Sequence, residues 1–214
     1  MADAKIGGRR KRVRPPEAGN PLRRRVLEAA FRLFHERGFS ATSMLEIATR
    51  AQVSKRDLYA LFDNKHALLA DGIAERAQAM RERLGSMMPA PSSRKALVAT
   101  LVEVGVSILR TVCSAEVLMI YRLAIAESDR SPEVGRALDD HGREANHRAL
   151  AQFLEKARKQ GLIASSDPAE LVERYGRVLW SDDLLVRLLL RVRDAPGEKE
   201  IRARAQAATE AIIG

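Results

Sequence analysis

The chain has 214 residues, of which 46% are hydrophobic and 4% aromatic, with a single cysteine and a formal net charge of +9. The lone Cys113 excludes an internal disulfide framework and a cysteine-based zinc site. No apolar run approaches the roughly 18 residues that span a bilayer, and the N-terminus lacks the apolar segment of a signal peptide, so we expect a soluble, cytoplasmic protein.

Positive charge is concentrated at the N-terminus. Residues 1–25 contain nine Lys and Arg against Asp3 and Glu17, so they carry seven of the nine net charges. Residues 1–21 combine this charge with Gly and Pro and show no apolar periodicity, which predicts a basic flexible arm.

Four helices are predicted before residue 85. Apolar residues recur at helical spacing from Val26 to Phe34, which predicts a first helix over residues 22–37, ended by Gly38. Two serines are each followed three residues later by a carboxylate, the pattern of a capping box, in the pairs Ser43 with Glu46 and Ser54 with Asp57. They predict two short helices around the tight turn "AQV", and Asn64 then caps a fourth, longer helix that fades in the linker 85–93.

Five longer helices are predicted beyond this linker, two of them opened by proline at the first helical position. They are a helix from Leu97 to Ile108, one from Val117 to Ile125, a long one from Pro132 to Gly161, one that begins at Pro168 and includes "LLVRLLL" (184–190), and one from Ile201 to Ile212. The sequence contains no β signal. We therefore predict an all-α protein of about nine helices.

The segment "RRRVLEAAFRLFHERGFSATSMLEIATRAQVSKRDLYALFDNKHALLADGI" (23–73) resembles the DNA-binding domain of TetR-family transcriptional regulators. More weakly, "AIAESDRSPEVGRAL" and "KARKQGLIASSDPAELVERYGRVLW" resemble the C-terminal domain of an AefR-like subgroup of that family. The resemblance implies three parts: the arm 1–21, a three-helix helix-turn-helix domain over 22–84, and an effector-binding and dimerisation domain over 92–214.

This resemblance implies six DNA-contacting residues. Lys55 and Arg56 begin the second helix of the helix-turn-helix, where they would donate to guanine O6 and N7 in the major groove. Tyr59 and Lys65 match phosphate-contacting positions of the family. The other two, Ser43 and Ser54, serve as helix caps as well, and backbone amides near Ser43 would meet a phosphate.

Three residues depart from the family pattern near this motif. Asp57 stands where relatives have a small residue; it is expected to complete a capping box, and the alternative is that it accepts from a cytosine amine. Gln52 replaces the glycine of the turn. Leu45 replaces a polar residue, so the first helix of the motif is expected to contribute fewer base contacts. The basic run 8–14 either remains a solvated tail or enters a neighbouring minor groove.

The C-terminal half is predicted to dimerise through its last two helices. "LLVRLLL" is apolar on almost every face, and the final helix is rich in alanine, at Ala203, Ala205, Ala207, Ala208 and Ala211. We predict a two-fold, four-helix interface; the alternative is that Leu188 to Leu190 serve only the core of one subunit.

The resemblance also implies an effector pocket, lined from the helix over Val117 to Ile125 and from the helix that begins at Pro168. Its candidate lining residues are Met119, Tyr121, Arg122, Tyr175 and Trp180, each of which has the alternative of ordinary packing. Cys113 is interpreted as an inert buried residue, and His141, Glu144 and His147 lack the i, i+4 spacing of a helical metal site, so neither a metal nor a cofactor is expected.

The sequence thus predicts a homodimeric, effector-responsive transcriptional regulator, most consistent with a repressor of a palindromic operator. A helical enzyme is the first alternative, but the chain has no nucleophile elbow, phosphate loop or metal signature. The second alternative is an architectural DNA-binding protein, whose affinity would depend on salt and hardly on sequence.

Overall fold

The computed structural model describes residues 20–163 and 167–213, and every regular element within them is helical. The elements are α1 (Pro21–Arg37), α2 (Met44–Ala51), α3 (Lys55–Leu61), α4 (Lys65–Met87), α5 (Arg94–Val112), α6 (Ala115–Ala126), α7 (Pro132–Leu138), a π-helical turn (Asp139–Arg143), α8 (Glu144–Lys159), α9 (Pro168–Leu179), α10 (Leu184–Leu189) and α11 (Glu198–Ile213). The all-α prediction is confirmed. All but the last two residues of the predicted basic arm lie outside the described residues.

The first helix is delimited by two local signals. Asn20 Oδ1 accepts hydrogen bonds from the amides of Leu22 and Arg23, and Pro21 stands at the first helical position, where its missing N–H costs nothing. Gly38 ends the helix at φ +83°, a conformation that favours glycine. These signals give α1 nearly the bounds that periodicity predicts.

The turn between α2 and α3 is closed by a residue in the left-handed region. Gln52 has φ 53° and ψ 48°, and its N–H returns to the carbonyls of Ala48 and Thr49. From α1, the guanidinium of Arg25 donates to the carbonyls of Ala51 and Gln52, at 3.2 and 3.0 Å. Arg25 therefore stabilises the C-terminus of α2 and holds the helix-turn-helix against α1.

Gln52→Gly is expected to raise the free energy of unfolding by roughly 0.5 kcal/mol. The left-handed conformation costs an L-residue about 1 kcal/mol, and the freer unfolded chain of the glycine variant cancels part of the gain. Urea unfolding measures the change, and Gln52→Ala, which keeps Cβ, should show no such gain. A glycine variant less stable than the parent would contradict the assigned conformation.

The long helix predicted from Pro132 to Gly161 is continuous but not uniform. α7, the π turn and α8 follow each other without a break, so the described residues form ten helices. In the π turn the N–H of Glu144 donates to the carbonyl of Asp139, five residues back. Gly161, at φ +71°, follows the end of this helix, as predicted. A π turn inserts one extra residue and is common at functional sites.

The prediction of one helix from Pro168 through "LLVRLLL" was wrong. α9 ends at Leu179, and Asp182 and Asp183 then adopt φ 61° and 52° before α10 begins. The physical reason is local, because aspartate tolerates the left-handed region and here breaks the helix twice in succession. As a result α10 buries Leu184 and Leu188, while Val186 and Leu190 are 54% and 67% exposed.

Two hydrophobic cores are joined by α4. The first core lies between α1, α2, α3 and the start of α4, and it also takes residues from α6 and α7. The second lies between the end of α4 and α5, α8, α9, α10 and α11. Leu68, Leu69 and Ile73 of α4 belong to the first core, whereas Met80 and Leu84 belong to the second. A displacement of α4 therefore acts on both cores.

None of the described helices alone has the length and apolarity to cross a membrane. Only α5 and α6 taken together reach that length and composition, and they meet at a bend of 63°.

Glycine allows α5 and α11 to approach closely in the second core. A Cβ on Gly105 of α5 would lie 2.9 Å from Cβ and 3.3 Å from Cα of Ala205 on α11, and would also collide with the hydroxyl of Tyr175. That hydroxyl donates to the carbonyl of Leu101 at 2.7 Å, so the contact joins α5, α9 and α11.

Gly105→Ala is expected to lower the free energy of unfolding by about 2 kcal/mol, because the backbone of α11 must move to admit a methyl group. Gly176→Ala is the matched control. Gly176 is also inside a helix, but a Cβ there meets nothing within 4 Å, so alanine should stabilise by about 0.5–1 kcal/mol. Chemical denaturation of both variants tests the pair, and equal effects would contradict the close approach.

Candidate nucleic-acid interface and ligand cavity

The first turn of α3 is an exposed, basic surface. Leu58 points inward and is fully buried, whereas Lys55 and Arg56 are exposed and Tyr59 is 45% exposed. Neither cation forms an ion pair with the rest of the described chain. Lys55 Nζ lies 5.9 Å from the centroid of the Tyr59 ring. The structure thus brings three predicted contact residues onto one accessible face.

Ser54 and Asp57 bind each other at the start of this helix. The amide of Asp57 donates to Ser54 Oγ at 3.0 Å, and Ser54 Oγ donates to the Asp57 carboxylate at 2.7 Å. Asp57, which stands where relatives have a small residue, thus helps to cap α3. It also places a carboxylate beside the two cations, which reduces the net positive charge of the surface.

Ser43 caps α2 through a complete capping box. Glu46 Oε2 accepts from the Ser43 amide at 2.7 Å and from Ser43 Oγ at 2.8 Å, while the Glu46 amide donates to Ser43 Oγ at 3.2 Å. These hydrogen bonds, the Ser43 amide first, lower the pKa of Glu46, so it stays ionised. The amides of Met44 and Leu45 are left without an intrahelical partner, as at any helix start.

Lys65, the first residue of α4, contacts the turn between α1 and α2. Its Nζ donates to the carbonyls of Phe39 and Thr42 at 2.5 and 2.7 Å and sits 4.3 Å from the centroid of the Phe39 ring. Partial burial lowers the pKa of this amine. Lys65 therefore holds the turn that precedes α2, a role that the sequence did not reveal.

His66, next in α4, connects this region to the C-terminal half. Its Nε2 lies 3.1 Å from Oε2 of Glu127, whose side chain is only 8% exposed, at the end of α6. The imidazole also packs on Phe39, with ring centroids 4.9 Å apart. The turn before α2, the start of α4 and the end of α6 therefore meet in one cluster.

A cavity of about 1240 Å³ opens between the C-terminal helices. Its wall takes Ile73 and Met80 from α4, and further residues from α5, α6, α8 and α9 together with the π turn. The volume exceeds the few hundred to about 1,000 Å³ of most small-molecule sites, so a ligand of drug-like size fits.

Three of the five predicted pocket residues line this cavity. They are Tyr121, Tyr175 and Trp180. Burial raises the pKa of both tyrosines, so their hydroxyls stay protonated. Met119 instead lines a separate cleft of about 380 Å³ between α1 and α6. Arg122 lies outside the cavity wall and donates to the carbonyls of Leu188 and Leu189, at 2.7 and 2.9 Å, which fixes α10 on α6.

Sequence reasoning missed the contribution of α4 and α8 to the cavity. Met80 lies near the end of α4, and Asn146 and His147 follow the π turn, which no sequence signal located. Their helices were predicted, but the facing of one helix to another depends on packing. Only the low hydrophobicity of the residues around Asn146 could have suggested a non-core role.

Cys113 has the environment of an inert thiol. It is 5% exposed, and burial raises its pKa to about 11, so the reactive thiolate is scarce near neutral pH. Over residues 20–163 and 167–213, no group of three or more His, Cys, Asp or Glu is arranged to hold a metal ion.

The N-terminal part has the exposed basic helix and the capped turn of a helix-turn-helix DNA-binding protein. The helical body behind it contains a ligand-sized cavity, as a sensor domain does. Residues 26–71 match the tetR family of bacterial regulatory proteins, and residues 99–214, more than half of the chain, match the C-terminal domain of AefR-like transcriptional repressors. The chain belongs to the TetR family of transcriptional regulators. Regulators of this family are not enzymes, so the alternative of a helical enzyme is excluded.

Solved structures of the family share the whole architecture. A TetR-family regulator from Mesorhizobium loti is 26% identical, with a TM-score of 0.77 over 90% of this chain and 95% of its own. The flavonoid-responsive regulator FrrA is 32% identical, with a TM-score of 0.69 over 88% and 93% of the two chains. A relative matched by sequence alone, the Bacillus subtilis HTH-type regulator YezE, is 24% identical over 146 residues, which are 68% of this chain and 71% of YezE.

Proposed function

We propose that this protein is a homodimeric repressor that binds a palindromic operator and is released by a small-molecule effector. The observation that carries the proposal is the first turn of α3. Its two exposed cations have no ion-pair partner in the described structure, and they begin the helix that reads base edges when a helix-turn-helix binds a major groove. A cytoplasmic location follows from this role, since the operator lies in the cytoplasm of a bacterium.

The contacts divide into reading and positioning groups. Lys55 and Arg56 donate to base edges, while Tyr59 and the free amides of Met44 and Leu45 contact phosphates. The exposed side chain of Leu45, with 63% of its surface accessible, offers only an apolar contact such as a thymine methyl group. Ser43 and Ser54 cap α2 and α3 and so determine where the DNA-contacting groups of these two helices lie.

Lys65 both holds the turn before α2 and has a donor left for a phosphate. An ammonium group has three donors, and the carbonyls of Phe39 and Thr42 use two of them, so one remains for a phosphate. We expect Lys65→Ala to weaken binding to all duplexes by a similar factor and to flatten the slope of log affinity against log salt by about one. Fluorescence anisotropy over a salt series measures both, and a loss confined to the operator would contradict this role.

The proposed division into domains keeps the bounds predicted from the sequence, and each domain contributes residues to both cores. α1 to α3 with the first half of α4 form the reading head, and residues 92–214 form the sensor and dimerisation domain. The cavity and the reading head share α4, whose Ile73 and Met80 line the cavity and whose first turn holds Phe39 and Glu127 through Lys65 and His66. An occupant of the cavity that moves α4 therefore shifts the reading head relative to its two-fold mate.

A shift of a few ångströms is sufficient for release. The two recognition helices of such a dimer must match half-sites about 34–36 Å apart, one turn of duplex DNA. An effector lowers operator affinity only by the difference between its affinities for the two separations. FrrA, which shares this architecture, is flavonoid-responsive, and this supports a small organic effector here.

The proposal is tested by selecting binding sites from random duplex DNA with the full chain and with a chain that lacks residues 1–19. The shorter chain keeps Asn20, which caps α1. An enriched palindrome with both proteins is expected, because base readout resides in α3; loss of enrichment in the shorter chain would assign specificity to the arm. Binding without any enrichment would favour an architectural DNA-binding protein instead.

A further inference from the structure

Asn146 contains an unpaired polar atom in the wall of the cavity. It stands on α8, three residues after the π turn, and it lines the cavity. Its Oδ1 is the one buried side-chain oxygen or nitrogen of the described residues that has no hydrogen-bond partner. Its Nδ2 has only the thioether of Met80, at 3.9 Å. Buried amides are nearly always hydrogen-bonded, and leaving one unpaired destabilises the fold, so this exception requires an explanation.

The remainder of the wall offers no unpaired charge in its interior. Two charged lining residues are partly buried, Arg76 and Glu144, and each has a protein partner of opposite charge: Glu116 at 2.9 Å and Arg143 at 2.7 Å. His147 is also partly buried, and the other acidic and basic residues of the wall are exposed. Most of the interior is aliphatic or aromatic, including Trp180. Such a wall favours an uncharged, apolar molecule.

We propose that the cavity binds an uncharged, mainly apolar molecule whose hydroxyl group donates a hydrogen bond to the Asn146 amide. The amide rotates about a broad terminal torsion, so its oxygen can turn from the wall to the ligand. A polar group in a mainly apolar wall orients the ligand and selects for it, and the donor removes the cost of the unpaired oxygen. This inference rests on the proposed role of the cavity as the effector site.

Three probes of one shape test the inference: 4-benzylphenol, its methyl ether, and the 4-benzylbenzoate anion. Binding to the full chain is measured by calorimetry and by quenching of Trp180, the only tryptophan of the chain. The phenol is expected to bind about tenfold more tightly than the ether, the worth of one hydrogen bond, and the carboxylate is expected to bind most weakly. Equal affinities for phenol and ether, tightest binding of the carboxylate, or no binding of any probe would overturn the inference.

Asn146→Leu, which is close in shape, supplies the second arm. It should abolish the preference for the phenol while keeping the affinity for the ether, and its melting temperature should equal or exceed that of the parent because an unpaired oxygen is removed. Asn146→Ala serves the same comparison if the leucine side chain disturbs packing. A phenol preference that survives in a folded variant would assign the hydrogen bond to another residue and overturn the proposal.

The operator gives an independent readout. If the phenol binds through Asn146 but leaves operator affinity unchanged, the proposed ligand class is supported and the proposed release of the operator by an effector is contradicted. If a probe releases the operator with no dependence on Asn146, release stands and the inference fails.

Discussion

Arg56→Ala is expected to lower affinity for the selected operator by about 1–3 kcal/mol for each half-site and to relax base preference at one position of each. Arg56 is exposed at the second residue of α3 and has no ion-pair partner within the described chain, so its guanidinium is available to a guanine edge. Its loss should affect random duplexes much less, because the phosphate contacts of Tyr59, Lys65 and the α2 amides remain.

The control is Arg148→Ala, an equal change of charge at an exposed position of α8. It should alter operator and random-duplex affinity by the same small amount, through net charge alone. Anisotropy titrations with both duplexes at one salt concentration separate the cases. If Arg56→Ala reduced both affinities equally, the residue would be a phosphate contact and base readout would have to lie elsewhere on α3.

Ala207→Arg is expected to weaken dimerisation by at least about 3 kcal/mol, roughly a hundredfold. The packing of α11 divides its alanines: Ala205 and Ala208 are buried within the subunit, whereas Ala203 and Ala207 are exposed. Small residues on an outer face allow a second helix to approach closely, so an introduced guanidinium overlaps that helix. In a two-fold interface the overlap occurs twice, once for each subunit.

Sedimentation velocity over a concentration series measures the association, and the monomeric variant should also lose cooperative operator binding. Ala126→Arg adds the same side chain at an exposed position at the end of α6 and should leave the dimer unchanged. A variant that dimerises normally would contradict an interface through α11 and direct attention to the exposed apolar residues Val186, Leu190 and Val192. A parent protein that is monomeric would contradict dimerisation itself.

Local patterns predicted most of the reading head. A helix cap is a contact between residues three positions apart, so two pairs specify where α2 and α3 begin whatever lies around them: Ser43 with Glu46, a full capping box, and Ser54 with Asp57, which lacks the bond from the Ser54 amide to the carboxylate. The exposure of Lys55 and Arg56 follows from the same register, because Leu58 must face the core. Gln52 illustrates the limit, since its left-handed conformation is imposed by the turn and by Arg25 and is not a preference of glutamine.

The sequence by itself determined the fold class, the starts of α2, α3 and α4, and the family, and it predicted the recognition face, because each depends on spacing along one chain. Tertiary structure alone decided that Lys65 holds two carbonyls of the turn before α2. It also decided which side chains share the cavity, and it left Asn146 unpaired there. These features depend on the distance and facing of helices far apart in sequence, which packing of all side chains sets together and no periodicity encodes.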